Sequence, residues 1–195
     1  MKKITVLGVT GSIGTQTVDV VAHHQEDFEI VAMSAGHNIA KLEEIMELLP
    51  VRHICVLEKA DADALAQKYP ECHFYYGAEG LNTIATLEET DIVLNAIVGF
   101  AGLLPTINAI KAHKDIAIAN KETLVVAGHI IMPLVKENHV ALLPVDSEHS
   151  AIWQSMRGGQ HGEVSKILLT CSGGSFRDKS LEELKGATVE QALNH

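Results

Sequence analysis

Short apolar runs rich in β-branched residues alternate along the chain with segments whose apolar positions recur every three or four residues. Residues 4–7, 29–35, 53–57, 72–76, 91–95, 115–119 and 140–143 predict strands. Residues 13–22, 39–49, 60–69, 104–112 and 123–135 predict helices, and 77–87 a turn running into another. Within 39–49, Ile39, Leu42, Ile45, Met46 and Leu49 share one helical face. Ile4-Thr5-Val6-Leu7 puts apolar residues toward both sides, as a central parallel strand covered on each face requires. Strands that alternate with helices predict an α/β fold, here a doubly wound, Rossmann-like, mostly parallel sheet.

Past residue 150 the alternation breaks. Residues 151–156 continue a helix, 157–162 form a glycine-bearing loop, 166–170 predict a strand, and 181–184 and 189–193 short helical pieces. The expected division is residues 1–150 as a nucleotide-binding domain and 151–195 as the start of a second, α+β domain. The stretch 92–110 is free of charge, but Asn95, Gly99, Gly102, Pro105 and Asn108 interrupt it. It therefore reads as buried strand, glycine turn and helix rather than a membrane span.

A chain 47% hydrophobic and 21% charged is an ordinary soluble globular protein. Its net charge of -10 argues against a general nucleic-acid binder, which needs a basic face, and disfavours docking to an anionic membrane surface. Cys55, Cys72 and Cys171 are far apart and form no CxxC pair, so neither a zinc site nor a disulfide framework is expected. Met1-Lys2-Lys3 leads directly into a strand pattern, and a cytoplasmic location is the expectation.

The candidate chemistry lies where strands end. The first strand runs into Gly8-Val9-Thr10-Gly11-Ser12-Ile13-Gly14 and then a helix. Glycines there let backbone N–H groups approach a pyrophosphate at a helix N-terminus; a tight strand–helix turn without ligand is the plainer alternative. The second strand ends in Ser34-Ala35-Gly36-His37-Asn38. It offers no acid to repel a 2′-phosphate, and His37 and Lys41 are close by, which favours NADP over NAD. Asn120-Lys121-Glu122 follows another strand, where Lys121 can hold substrate oxygens and its neighbours ribose or nicotinamide groups; solvated charges in a turn explain the trio as well.

In Leu143-Pro144-Val145-Asp146-Ser147-Glu148-His149-Ser150, extended backbone sends Asp146 and Glu148 to one side. A divalent cation with oxygen ligands relieves their repulsion; a solvated turn with Ser147 capping a helix is the alternative. Ser172-Gly173-Gly174 after the strand at 166–170 exposes N–H groups and a hydroxyl, suited to a phosphate or simply to a turn.

These motifs, together with Ala96-Ile97-Val98-Gly99 and Gly102-Leu103-Leu104-Pro105-Thr106, occur in one order that resembles the 1-deoxy-D-xylulose 5-phosphate reductoisomerase family. The resemblance implies an NADPH- and divalent-metal-dependent enzyme, using Mg²⁺, Mn²⁺ or Co²⁺, of the non-mevalonate route to isoprenoid precursors. It would convert the sugar phosphate 1-deoxy-D-xylulose 5-phosphate to 2-C-methyl-D-erythritol 4-phosphate. By the same resemblance Thr10, Gly11, Ser12, Ile13, Gly36, His37, Asn38, Asn120 and Glu122 bind NADPH. Lys121, Ser147, Glu148, Ser172 and His195 contact substrate. Asp146 and Glu148 are metal ligands, and Lys121, Asp146 and Glu148 carry the catalysis.

Two departures stand out: Ser175 follows the Ser-Gly-Gly turn where proline is usual, and the chain ends at His195, about half the family's length. The resemblance therefore implies an inactive fragment of a homodimeric enzyme, with the cofactor domain largely complete. It would lack a further metal carboxylate, the main phosphate-binding residues and a helical C-terminal domain. A metal-free NADP-dependent reductase and a non-catalytic nucleotide-binding module are the competing expectations.

Overall fold

The computed structural model describes residues 1–169 and 174–194 of the chain. Two compact units are present, Met1–Asp146 and Ser147–His195.

The first unit alternates strand and helix throughout. Strands β1 (Lys2–Leu7), β2 (Phe28–Ser34), β3 (His53–Val56), β4 (His73–Tyr76), β5 (Ile92–Asn95), β6 (Asp115–Ile118) and β7 (Leu142–Pro144) form one sheet. Between them run α1 (Ser12–His23), α2 (Ile39–Leu48), α3 (Lys59–Lys68), α4 (Gly77–Ala85), α5 (Leu103–Lys111) and α6 (Lys121–Asn138). The strand order is β4-β3-β2-β1-β5-β6-β7, and every pair is parallel. The doubly wound α/β sheet expected from the alternation is what the chain forms.

The core divides because successive side chains on a strand point to opposite faces. Val6, Met33, Ile54 and Leu94 pack with Val18, Val21, Leu42, Ile45 and Leu65, apolar residues of α1, α2 and α3. Their chain neighbours Leu7, Ala32, Cys55 and Val93 pack on the other face with residues of α4, α5 and α6, among them Ile84, Ile110 and Ile131. Thr5 is polar and fully buried in β1; its hydroxyl is satisfied by the Ile84 carbonyl at 3.2 Å and the Thr90 hydroxyl at 2.7 Å. The uncharged stretch 92–110 resolves into β5, a turn and most of α5. No helix among the described residues is long and apolar enough to cross a membrane.

The second unit holds α7 (Ser147–Met156), α8 (Leu181–Leu184) and α9 (Val189–Leu193). The two shortest helices each open on a full capping box, Ser180 with Glu183 and Thr188 with Gln191, which holds a turn that little packing supports. The strand expected at 166–170 is not formed over residues 166–169, and residue 170 lies outside the described residues. Ile167, Leu168 and Leu169 are 55%, 75% and 64% exposed. β propensity reflects packing against neighbouring strands, and among the described residues no ladder partner meets the run.

Candidate functional site

The sheet reverses its winding between β1 and β5: β2, β3 and β4 lie to one side of β1, and β5, β6 and β7 to the other. Loops leaving adjacent strands in opposite directions open a crevice at such a point. A cleft of about 490 Å³ lies there, with Gly8, Thr10 and Gly11 between two walls. Ser34–His37, Val56 and Leu57 contribute to one wall, and Ala96, Ile97, Val98 and Ala101 to the other.

Close backbone packing forms its floor. Gly8 has φ +90°, and a Cβ there would come within 2.8 Å of the Ala96 carbonyl oxygen. The Gly8 N–H donates to the Ser34 carbonyl and hydroxyl at 3.2 and 3.0 Å, and the Val9 N–H to the same carbonyl at 2.8 Å, so the loop is tied to β2 as it leaves β1. Gly14 lets the first turn of α1 rest on this loop, since a Cβ at Gly14 would lie 2.3 Å from the Gly8 carbonyl oxygen.

Gly11 caps α1 in extended conformation with no side-chain hydrogen bond, and the first turn contains no acid. The leading N–H groups of a helix lack intrahelical acceptors and carry the positive end of its dipole. A start left without a side-chain cap or a carboxylate matches what an anionic group needs.

At the end of β2, Gly36, His37 and Asn38 are exposed, and His37 lines the cleft. Asn38 caps α2 by accepting the Lys41 N–H at 3.1 Å, while the Lys41 amine pairs with Glu44 at 2.7 Å. At the end of β6, Asn120 is buried. Its amide donates to the carbonyls of Ile97 and Gly99, the latter at 2.7 Å, and its oxygen accepts the Thr123 N–H at 3.0 Å. Lys121 and Glu122 begin α6 and are exposed. Thr10, Gly11, Gly36 and His37 are thus gathered on one cleft, Ser12 and Ile13 start the helix beside it, and Asn120 grips its loop wall.

Val145 continues the sheet pattern by donating its N–H to the Ile118 carbonyl at 3.0 Å, and Asp146, half-buried, closes the first unit. Ser147 and Glu148 open α7 of the second unit. Ser172 and His195 lie outside the described residues.

Sequence reasoning noted Asn95 and Thr106 but gave neither a role in the site. Asn95 is fully buried; its amide donates to the Gly102 carbonyl at 3.1 Å and the Thr106 hydroxyl at 2.9 Å, and its oxygen accepts the Ile97 N–H at 3.2 Å. An asparagine closing an apolar strand run, whose burial demands hydrogen-bond partners, was the available signal. Cys55 is set apart from thiol chemistry, because burial pushes its pKa up to about 12. Among the described residues, His24, Glu26 and Asp27 bring ligand atoms within 4.8 Å of one another, all exposed on the turn after α1.

Residues 4–128 match the family model described as 1-deoxy-D-xylulose 5-phosphate reductoisomerase, and residues 142–195 the model of that enzyme's C-terminal domain. A 1-deoxy-D-xylulose 5-phosphate reductoisomerase of Clostridium perfringens is 50% identical across 100% of this chain and 52% of its own length. One of Listeria innocua is 49% identical across 100% of this chain and 51% of its own. The chain therefore spans about half the length of the curated relatives it matches. Among solved structures, the Zymomonas mobilis reductoisomerase in complex with NADPH superposes with a TM-score of 0.87 at 35% identity, covering 100% of this chain and 52% of that one. A reductoisomerase in complex with NADPH, fosmidomycin and magnesium gives 0.84 at 35% identity, covering 100% and 51%.

Proposed function

The chain belongs to the 1-deoxy-D-xylulose 5-phosphate reductoisomerase family, and on that premise we propose that it carries the NADPH-binding part of an enzyme converting 1-deoxy-D-xylulose 5-phosphate to 2-C-methyl-D-erythritol 4-phosphate. One observation carries the reading: the glycine floor and the uncapped start of α1 meet at the switch point of the sheet. That combination suits a dinucleotide pyrophosphate. NADPH supplies a hydride to a carbonyl carbon, and the protein aligns it.

The N–H groups at Ser12 and Ile13 take the pyrophosphate, with Thr10 and Gly11 beside it. Gly36, His37 and Asn38 receive the 2′-phosphorylated ribose. No carboxylate at the end of β2 repels that phosphate, and Lys41 adds charge nearby although it shares it with Glu44. Asn120 and Glu122 serve the nicotinamide half, and Lys121 sets a fixed positive charge beside substrate oxygens.

Asp146 and Glu148, two residues apart in the chain, would supply hard oxygen ligands to a divalent cation such as Mg²⁺. When bound, that cation acts as a Lewis acid that stabilises oxyanion charge on the substrate's carbonyl and neighbouring hydroxyl. Ser147, Ser172 and His195 complete the substrate contacts in this reading. In this reading the chain binds NADPH.

Titration calorimetry of the chain with NADPH and NADH tests the cofactor assignment. NADPH binding at least about tenfold tighter than NADH, a difference of about 1.4 kcal/mol, is the expected result. Binding of neither nucleotide sinks the assignment.

A further inference from the structure

The wall of the cleft formed by residues 96–101 has no regular structure, and its side chains at Val98 and Phe100 are 91% and 67% exposed. Ala96 and Ile97 pack at the margins of the two core clusters, but apolar contact does little for the exposed stretch from Val98 to Ala101, whose course depends on hydrogen bonds. Asn95 does so from beneath. A single buried amide bonds to both ends of the loop: its oxygen takes the Ile97 N–H at 3.2 Å, and its nitrogen reaches the Gly102 carbonyl at 3.1 Å. The Thr106 hydroxyl, 2.9 Å from the same nitrogen, donates onward to the Gly102 carbonyl at 2.8 Å. The main chain of Asn95 contributes as well, since its carbonyl accepts the N–H groups of Ala119 and Asn120 at 3.0 and 3.1 Å. Asn120 then grips Ile97 and Gly99 through their carbonyls.

Every polar atom of the Asn95 side chain is thereby used inside the protein, and none of it faces the cleft. On the cofactor reading above, on which this inference rests, the loop after β5 lies across the switch point from the ribose-phosphate wall at Gly36 and His37. A dinucleotide spanning that point lays its adenine half over β2 and its nicotinamide half toward β5.

We propose that Asn95, acting with Thr106, is a positioning residue for the nicotinamide half of the cofactor: it fixes the loop at 96–101 without touching the ligand. The adenine half rests on β1, β2 and the start of α1, which this amide does not touch. Loss of the clamp therefore weakens recognition of the whole dinucleotide and spares recognition of its adenine end.

The test compares NADPH with 2′,5′-ADP, which carries only the adenine ribose phosphates, on the full chain and on Asn95→Asp. The substitution keeps the shape and the acceptor for Ile97 but removes the N–H donors to Gly102 and Thr106. NADPH affinity is expected to fall at least about tenfold, with 2′,5′-ADP affinity changed less than about twofold. Thr106→Val, which removes only the relaying hydroxyl, should reproduce the split more weakly and provides the reading if Asn95→Asp does not fold. Unchanged NADPH affinity in a folded variant overturns the proposal, as does an equal loss for both nucleotides, which would make Asn95 a general support of the fold. A wild-type chain that binds 2′,5′-ADP but not NADPH also overturns it. A wild-type chain that binds neither removes the cofactor reading itself, a result distinct from the others.

Discussion

Gly102 and Asn95 occupy space that only one of them can fill. Gly102 has φ -78°, so its backbone would accept alanine without strain; the obstacle is that a Cβ would lie 2.5 Å from both polar atoms of the Asn95 amide. Gly102→Ala should therefore destabilise by about 1–3 kcal/mol in urea titrations, the usual cost of forcing atoms into a packed site. In an Asn95→Ala background the added cost should shrink, with a coupling of about 0.5–3 kcal/mol expected of residues in contact. His53 offers a second single-residue test. Its ring stacks on His73 at 5.0 Å and bonds to the Tyr75 hydroxyl at 3.0 Å. Burial, then the neighbouring His73, hold its pKa below the ordinary 6.5, while Glu89 at 3.5 Å pulls the other way. The native state thus favours the neutral ring. Its contribution is fully present above the unfolded value of 6.5 and is lost as pH falls through the lower native one. Thermal melts across that range should show His53→Gln losing less stability on acidification than the wild type.

Helix α1 illustrates how a feature that weakens an element can serve a ligand. A glycine cap with no side-chain bond leaves its start less stable than an aspartate cap would. The space beside Gly11 is open enough for a side chain, the nearest atom to a Cβ being the Gly8 carbonyl oxygen at 3.4 Å. Gly11→Asp should stabilise the fold slightly, by a few tenths of a kcal/mol in urea titrations, and lower NADPH affinity about tenfold or more through charge repulsion. Parallel loss of stability and affinity would contradict this account of the helix start. The same element shows what the sequence carries locally: Gly8, Gly11 and Gly14 sit between an apolar run and a helical one, and each has a steric or capping role readable from that order. The grip of Asn95 on Gly102 and Thr106 was not readable, because the partners lie at the start of α5, beyond an irregular loop whose path no apolar pattern sets.

Across the chain, legibility followed burial. The strands of the sheet could be placed because their apolar residues meet a core on both faces, as Val6 and Leu7 do. Residues 166–169 have the same kind of composition but, among the described residues, no strand to pair with, and the strand reading failed there. No described residue from 147 to 194 is buried. Amide hydrogen exchange should accordingly show slow exchange in β1 and β5 and fast exchange through the described part of 147–194 in this chain; protection there equal to that of β1 would contradict the exposure seen. Because every strand of the sheet runs the same way, the loops that line the cleft all leave from the carboxyl ends of the strands. The amino ends, where the exposed turns carrying Glu26 and Glu71 lead into β2 and β4, are remote from the cleft. A fluorophore or surface tether attached at position 26 or 71 would orient immobilised molecules uniformly, with the mouth of the glycine-floored cleft turned to the bulk solution.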